Sequence, residues 1–133
     1  MLPEWSAGRN FGPINVIDPA KKDDIGLLAH EDEHGEQWFL TGAMAAAVVF
    51  ILVYNFYSTS VAFAVLPGVF FGAHFILHKF VPAYRLWAEV EAYKVQALHY
   101  PDDRRERFAE FLADPERYNL NITKGEALAL LSR

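Results

Sequence analysis

QWFLTGAMAAAVVFILVYNFYSTSVAFAVLPGVFFGAHFILH, from Gln37 to His78, runs for 42 residues without an Asp, Glu, Lys or Arg. It divides at Asn55-Phe-Tyr-Ser-Thr-Ser60, leaving Phe39–Tyr54 before the break and Val61–Leu77 after it. A helix needs about 20 apolar residues to cross a bilayer, so the spacing predicts a hairpin of two apolar helices over residues 39–80. Two environments suit it: a lipid bilayer, or burial against neighbouring subunits in an oligomer or a virion. Lys21 and Lys22 precede the hairpin, Lys79, Arg85 and Lys94 follow it, and the turn at 55–60 carries no basic residue. In a membrane, that asymmetry puts both termini in the cytoplasm.

Outward from the hairpin, the charge is concentrated on both flanks. Residues 1–24 read as an irregular arm punctuated by Pro3, Gly8, Gly12, Pro13 and Pro19, with Asn15-Val-Ile17 as its candidate strand. Residues 25–133 read as one helical domain. A helix starts after an N-cap at Asp23 or Asp24, and Gly35 weakens it without ending it. Beyond Pro82, apolar residues at helical spacing predict a helix over 83–98, followed by a turn at Pro101-Asp-Asp103 and a short amphipathic helix over 104–112. Thr123-Lys-Gly-Glu126 has the form of a capping box opening a last helix through Leu131. The expected fold is mainly α: a bundle with an H-E-x-x-H helix, a long apolar hairpin and a glutamate-bearing helix.

Composition narrows the function classes. With 53% hydrophobic residues and 11 Phe, 6 Tyr and 3 Trp in 133 residues, the chain is built to fold rather than to stay disordered. Having no cysteine, it excludes disulfides, thiolate metal sites and a cysteine nucleophile. A net charge of −5 argues against nucleic acid as a partner.

The chemistry concentrates in His30-Glu-Asp-Glu-His34. On a helix, positions i and i+4 share a face, so both imidazoles can hold one metal ion. Zinc suits neutral imidazole, and Glu31 stands next to the first ligand, where it can take a proton from the water that attacks a carbonyl. There is no third histidine in the metzincin spacing, so a further ligand must come from elsewhere, with Glu89 and Glu91 as candidates. An up-and-down hairpin would return residues 84–98 beside residues 25–35, where either glutamate could complete the set.

Leu27-Leu-Ala-His-Glu-Asp-Glu-His-Gly-Glu-Gln-Trp38, with Tyr84-Arg-Leu-Trp-Ala-Glu-Val-Glu-Ala-Tyr-Lys-Val-Gln96 and Tyr100-Pro-Asp-Asp103, resembles small phage- and bacterium-encoded zinc peptidases of the H-E-x-x-H type. The similarity is gluzincin-like and covers roughly residues 15–38 and 82–131. The second element is also distantly similar to the E-x-x-A-D segment of membrane CAAX-type and heat-shock-type zinc proteases. The resemblance implies a zinc metallopeptidase that hydrolyses peptide bonds by metal-activated water, and points to a phage origin. By the same resemblance Glu89 is the third ligand, and Tyr93 stands where those families carry an aspartate, as a second-shell or oxyanion group. The long apolar hairpin departs from the shorter connection expected of soluble members.

Other residues and functions remain as alternatives. Tyr93 and His99 are the nearest oxyanion candidates in sequence. His74 and His78 form a second i, i+4 pair, read first as one histidine hydrogen-bonded inside the bundle and one at an interface, and alternatively as ligands of a second metal. Gln37 and Trp38 mark either a substrate edge or the membrane interface. For the whole chain, the alternatives are a structural, virion-associated or membrane-interacting protein that keeps a zinc site without turnover, or a lysis accessory that uses the hairpin alone.

Overall fold

A computed structural model describes residues 7–133, which are mainly helical. Two short antiparallel strands, β1 (Gly8–Asn10) and β2 (Asn15–Ile17), pair with Gly8 opposite Ile17 and Asn10 opposite Asn15. Five helices follow: α1 (Ile25–Phe56), α2 (Thr59–Phe80), α3 (Pro82–Ala97), α4 (Arg105–Ala113) and α5 (Lys124–Leu131). The strand expected at 15–17 is present, and β1 is its partner in what had read as an irregular arm. Asn10 and Asn15 tie this small sheet to α1, Asn10 Nδ2 donating to the Glu31 carbonyl at 3.2 Å and Asn15 Nδ2 to the Asp32 carboxylate at 2.6 Å.

The H-E-x-x-H segment and the first half of the hairpin are one continuous helix. Its 32 residues make α1 about 48 Å long at 1.5 Å per residue, against a hydrocarbon core of about 30 Å. The apolar part begins at Phe39, so the first four turns of α1, which carry the histidines, project beyond the apolar part. The helix ends at Tyr57, and Ser58 caps α2 by accepting from the Val61 N–H at 3.3 Å. Pro67 lies inside α2, where it removes one backbone donor.

α1 and α2 pack closely because Gly42 has no side chain: a Cβ there would collide with the carbonyl of Phe70. The Trp38 indole N–H donates to the Phe71 carbonyl at 3.3 Å just above that crossing. Away from their shared seam the two helices are bare. Only 6% and 11% of their most apolar 18-residue windows are buried within the chain, and both helices are long and apolar enough to cross a membrane. Phe39, Met44, Ile51, Phe63, Phe71 and Ile76 all face outward. An apolar surface of this extent is stable only against lipid or protein.

A second core lies at the opposite end of the molecule. Val90 and Tyr93 of α3 pack with Phe108, Ala109 and Leu112 of α4, Leu120 of the connecting loop, and Ala127 and Leu131 of α5. Leu112 is fully enclosed, and Tyr93 stacks on Phe108 with ring centroids 4.7 Å apart. The Thr123–Glu126 capping box is present with both reciprocal bonds. The other face of α3 packs on the N-terminal half of α1, where the buried residues of that helix lie.

Asp24 clamps that junction. Its carboxylate caps α1 through the Leu27 N–H at 3.0 Å and accepts the Tyr100 hydroxyl at 2.7 Å, while Gln96 Nε2 donates to the same phenol at 2.9 Å. Burial works to raise the Asp24 pKa, but the bonds from Tyr100 and Leu27 outweigh it, and the net shift is downward. Replacing Asp24 by Ala should lower unfolding stability by about 1 kcal/mol at pH 7. A depressed carboxylate contributes stability that is complete above its unfolded pKa and is lost as pH falls through the folded one. The gap between wild type and Asp24→Ala, read from denaturant unfolding in detergent, should therefore narrow on acidification below about pH 4.

Candidate metal centre

Three side chains meet where α1, α2 and α3 converge. His30 and His34 lie one helical turn apart on the buried face of α1, and Glu89 enters from the middle of α3. The Glu89 Oε2 atom is 3.7 Å from His30 Nε2 and 3.6 Å from His34 Nε2. One donor atom from each of the three residues falls within 4.8 Å of the others, and all three residues are buried. This is the one such group of three or more His, Asp or Glu donors among the described residues. Ligands on a tetrahedral ion with bonds of about 2.0–2.2 Å stand roughly 3.3–3.6 Å apart, so small side-chain shifts would let the three residues hold a metal ion.

The hydrogen bonds around the group fit the same reading. Glu89 Oε2 is buried, and the two imidazole nitrogens facing it each stand just beyond direct hydrogen-bond length. A carboxylate oxygen rarely stays buried unless a donor or a cation meets it. The other oxygen, Oε1, is met by His78 Nε2 at 3.1 Å, leaving Oε2 turned towards the two imidazoles of α1. Gln37 fixes His34 from behind: its Oε1 lies 3.0 Å from His34 Nδ1, and its Nε2 donates to the Ala88 carbonyl at 3.1 Å. With a metal in place of the proton on Nε2, the bond from Nδ1 to Gln37 would hold the His34 ring in the orientation a ligand needs. The ring of Tyr93 closes the other side, edge-on to His30 at 4.6 Å.

The electrostatics match a site that holds a cation. Burial alone would raise the Glu89 pKa, but the bonds and charges of His34, His78 and His30 outweigh it and hold the carboxyl well below its usual range. Burial and the neighbouring His34 push His30 down to about 4, so its imidazole stays neutral. For His34, burial acts downward but the Glu89 carboxylate and Gln37 prevail, and the ring is pushed up to about 9. Without a metal, the His34–Glu89 ion pair holds the same geometry. Glu31 is buried beside the pair, and desolvation raises it to about 7 with help from Glu89 and against the pull of His34. Strand β1 passes directly over this carboxylate, and a Cβ on Gly8 would strike it.

The centre opens into a cavity of about 750 Å³ lined by residues of β1, all three long helices and the loop before α5. Of the residues singled out from sequence, His30, Glu31, His34, Glu89 and Tyr93 are brought together there. Glu91 is not among them: it faces the other side of α3 and pairs with Lys94 at 2.9 Å, because i and i+2 diverge by about 200° on a helix. His99 sits exposed in the turn after α3, away from the cavity. Tyr93 has its hydroxyl 2.8 Å from that of Tyr118, a residue no motif had marked.

The second histidine pair splits. His74 is buried and hydrogen-bonded to the Tyr84 hydroxyl at 2.8 Å, which in turn meets Thr41 at 2.7 Å. His78, first read as an interface residue, instead faces Glu89, and the two form no second metal group among the described residues. Its spacing of four from His74 and of eleven from Glu89, across the Pro82 break, carried no signal for that contact.

Replacing His34 or Glu89 by Ala should abolish metal binding, as measured by mass spectrometry on protein purified without chelator. His78→Ala and Gln37→Ala should keep about one ion per chain but weaken affinity about 10- to 100-fold in competition with a chromogenic chelator. No family model, curated protein or solved structure matches this chain, so its own residues alone carry the reading of the site.

Proposed function

We propose that the protein is a zinc-dependent metallopeptidase-like hydrolase anchored in a membrane by residues 39–80. The observation that carries this is the buried His30, His34 and Glu89 group, with one donor atom from each within 4.8 Å of the others and the Glu31 carboxyl beside them in the same cavity. His30, His34 and Glu89 would hold the ion. When bound, zinc supplies Lewis acidity towards a carbonyl oxygen and makes water a nucleophile near neutral pH.

The chain's own groups do the rest. Glu31 follows the first histidine and lies in the same cavity, where it would accept a proton from water and return it to a departing amine. Tyr93 and Tyr118 share one hydroxyl–hydroxyl bond, and Tyr118 also interacts with Glu89, so the two phenols brace the carboxylate from the side of the core. His78 orients Glu89, and Gln37 orients His34.

The cavity bears on the choice between catalysis and a purely structural role. A volume of about 750 Å³ gives this short chain room for a peptide segment beside the ligands, which favours turnover. Membrane anchorage is supported by the two bare apolar helices and by the lack of basic residues in their connecting turn. With Lys21, Lys22, Lys79 and Arg85 at the other end, both termini and the site would face the cytoplasm.

Glu31→Gln should retain zinc and lose about 10²- to 10⁴-fold in peptide hydrolysis, measured on detergent-purified protein with a quenched peptide library. Zinc content near zero in the wild type would sink the proposal, as would hydrolysis unchanged by Glu31→Gln.

A further inference from the structure

The cavity wall has a charge imbalance that the metal centre does not use. Four cations line it (Arg9, Lys79, Arg85 and Arg117), against two acids, Glu31 and Glu89, which belong to the centre. Arg117 is held by Asp114 at 3.3 Å and lies over the Phe111 ring at 4.1 Å. Arg9 acts on Glu31. Arg85 is different. Its Nε is buried with no partner, and its Nη2 makes only a long bond, 3.5 Å, to the Asn119 carbonyl. A guanidinium is always charged, and its edge is a two-pronged fork suited to a carboxylate.

Position tells which carboxylate. Arg85 and Glu89 are i and i+4 on α3, so they stand on one face about 5–6 Å apart at Cβ. A peptide whose terminal carboxylate sits on the Arg85 fork would therefore run along this face of α3 towards the centre. Phe75 of α2 lines the same cavity and gives it an apolar wall able to receive an apolar side chain.

We infer that Arg85 forms a subsite for the terminal α-carboxylate of a peptide, so that the centre removes single apolar residues from C-terminal ends. This rests on the metallopeptidase reading and specifies its substrate. In the reaction, the C–N bond before the last residue breaks. Water gives its hydroxyl to the carbonyl carbon and its proton to the departing amine, releasing a free amino acid.

The test separates the subsite from the peptidase reading. Zinc-loaded Glu31→Gln protein in detergent is titrated calorimetrically with N-acetyl-Leu-Phe as the free acid and as the C-terminal amide. The acid should bind about tenfold or more tightly than the amide. That preference should vanish when Arg85→Gln is added and survive in part with Arg85→Lys, which also guards against a folding defect. Equal affinity for acid and amide overturns the subsite, as does a preference untouched by Arg85→Gln. Tight binding of inorganic phosphate that depends on Arg85, with no acid–amide difference, overturns it in favour of a phosphate-bearing ligand. Failure of zinc-loaded wild type to cleave either peptide counts against the peptidase reading alone, since the binding comparison needs no turnover.

Discussion

The structure is organised around one buried carboxylate. Glu89 is enclosed in the middle of α3, and an ionised group there is costly unless cations and hydrogen bonds surround it. The chain meets that demand from two other helices: His30 and His34 from α1, and His78 from α2. These contacts fix the rotation of α3 about its own axis, because turning Glu89 away would leave three histidines facing an apolar wall. The same rotation aims Tyr93 at the C-terminal core and Ala88 at Gln37, so the packing of α4 and α5 inherits its orientation from the polar centre.

That arrangement also explains why the apolar hairpin interrupts the site instead of destroying it. His34 and Glu89 are 55 residues apart, and the intervening chain leaves along α1 and returns along α2 to almost the same level. Gly42 sets the closeness of the two helices, and the Trp38–Phe71 bond fixes their register just below the centre. His78 then lies opposite His34, with ring centroids 6.1 Å apart. A slip of one turn along the seam, about 5.4 Å, would carry His78 out of reach of Glu89.

Much of this was legible from the residues. The charge-free run gave both helices of the hairpin, the i, i+4 histidines gave one face of α1, and the return of the chain placed α3 beside it. Thr123 and Glu126 announced the start of α5. The rest depended on tertiary register. Glu89 and Glu91 are equal in sequence, and only the packing of Ala88, Ala92 and Tyr93 on the inner face decides between them. His78 stood out only as the partner of His74, and Tyr118 belonged to no local pattern; both reach the centre through tertiary packing that the sequence does not encode at short range. β1 was hidden because Gly8-Arg-Asn10 has no strand propensity; it is a strand because Asn15–Ile17 pairs with it and Asn10 bonds to α1.

A rigid link follows between the hairpin and the chemistry. α1 is uninterrupted from the metal-ligating turns to Phe56, with Gly35 and Gly42 accommodated and no proline. Wherever the apolar half settles, in lipid or against another protein, the centre is held a fixed distance beyond it. With the boundary near Phe39, His34 stands little more than one helical turn above it, about 7 Å at 1.5 Å per residue. Phe75 lines the cavity from α2, so its wall is continuous with the apolar surface of the hairpin. The cavity therefore joins an apolar wall on the side of the hairpin to the cations Arg85 and Lys79 on the side of α3, and both are held at a fixed height above the apolar part of α1.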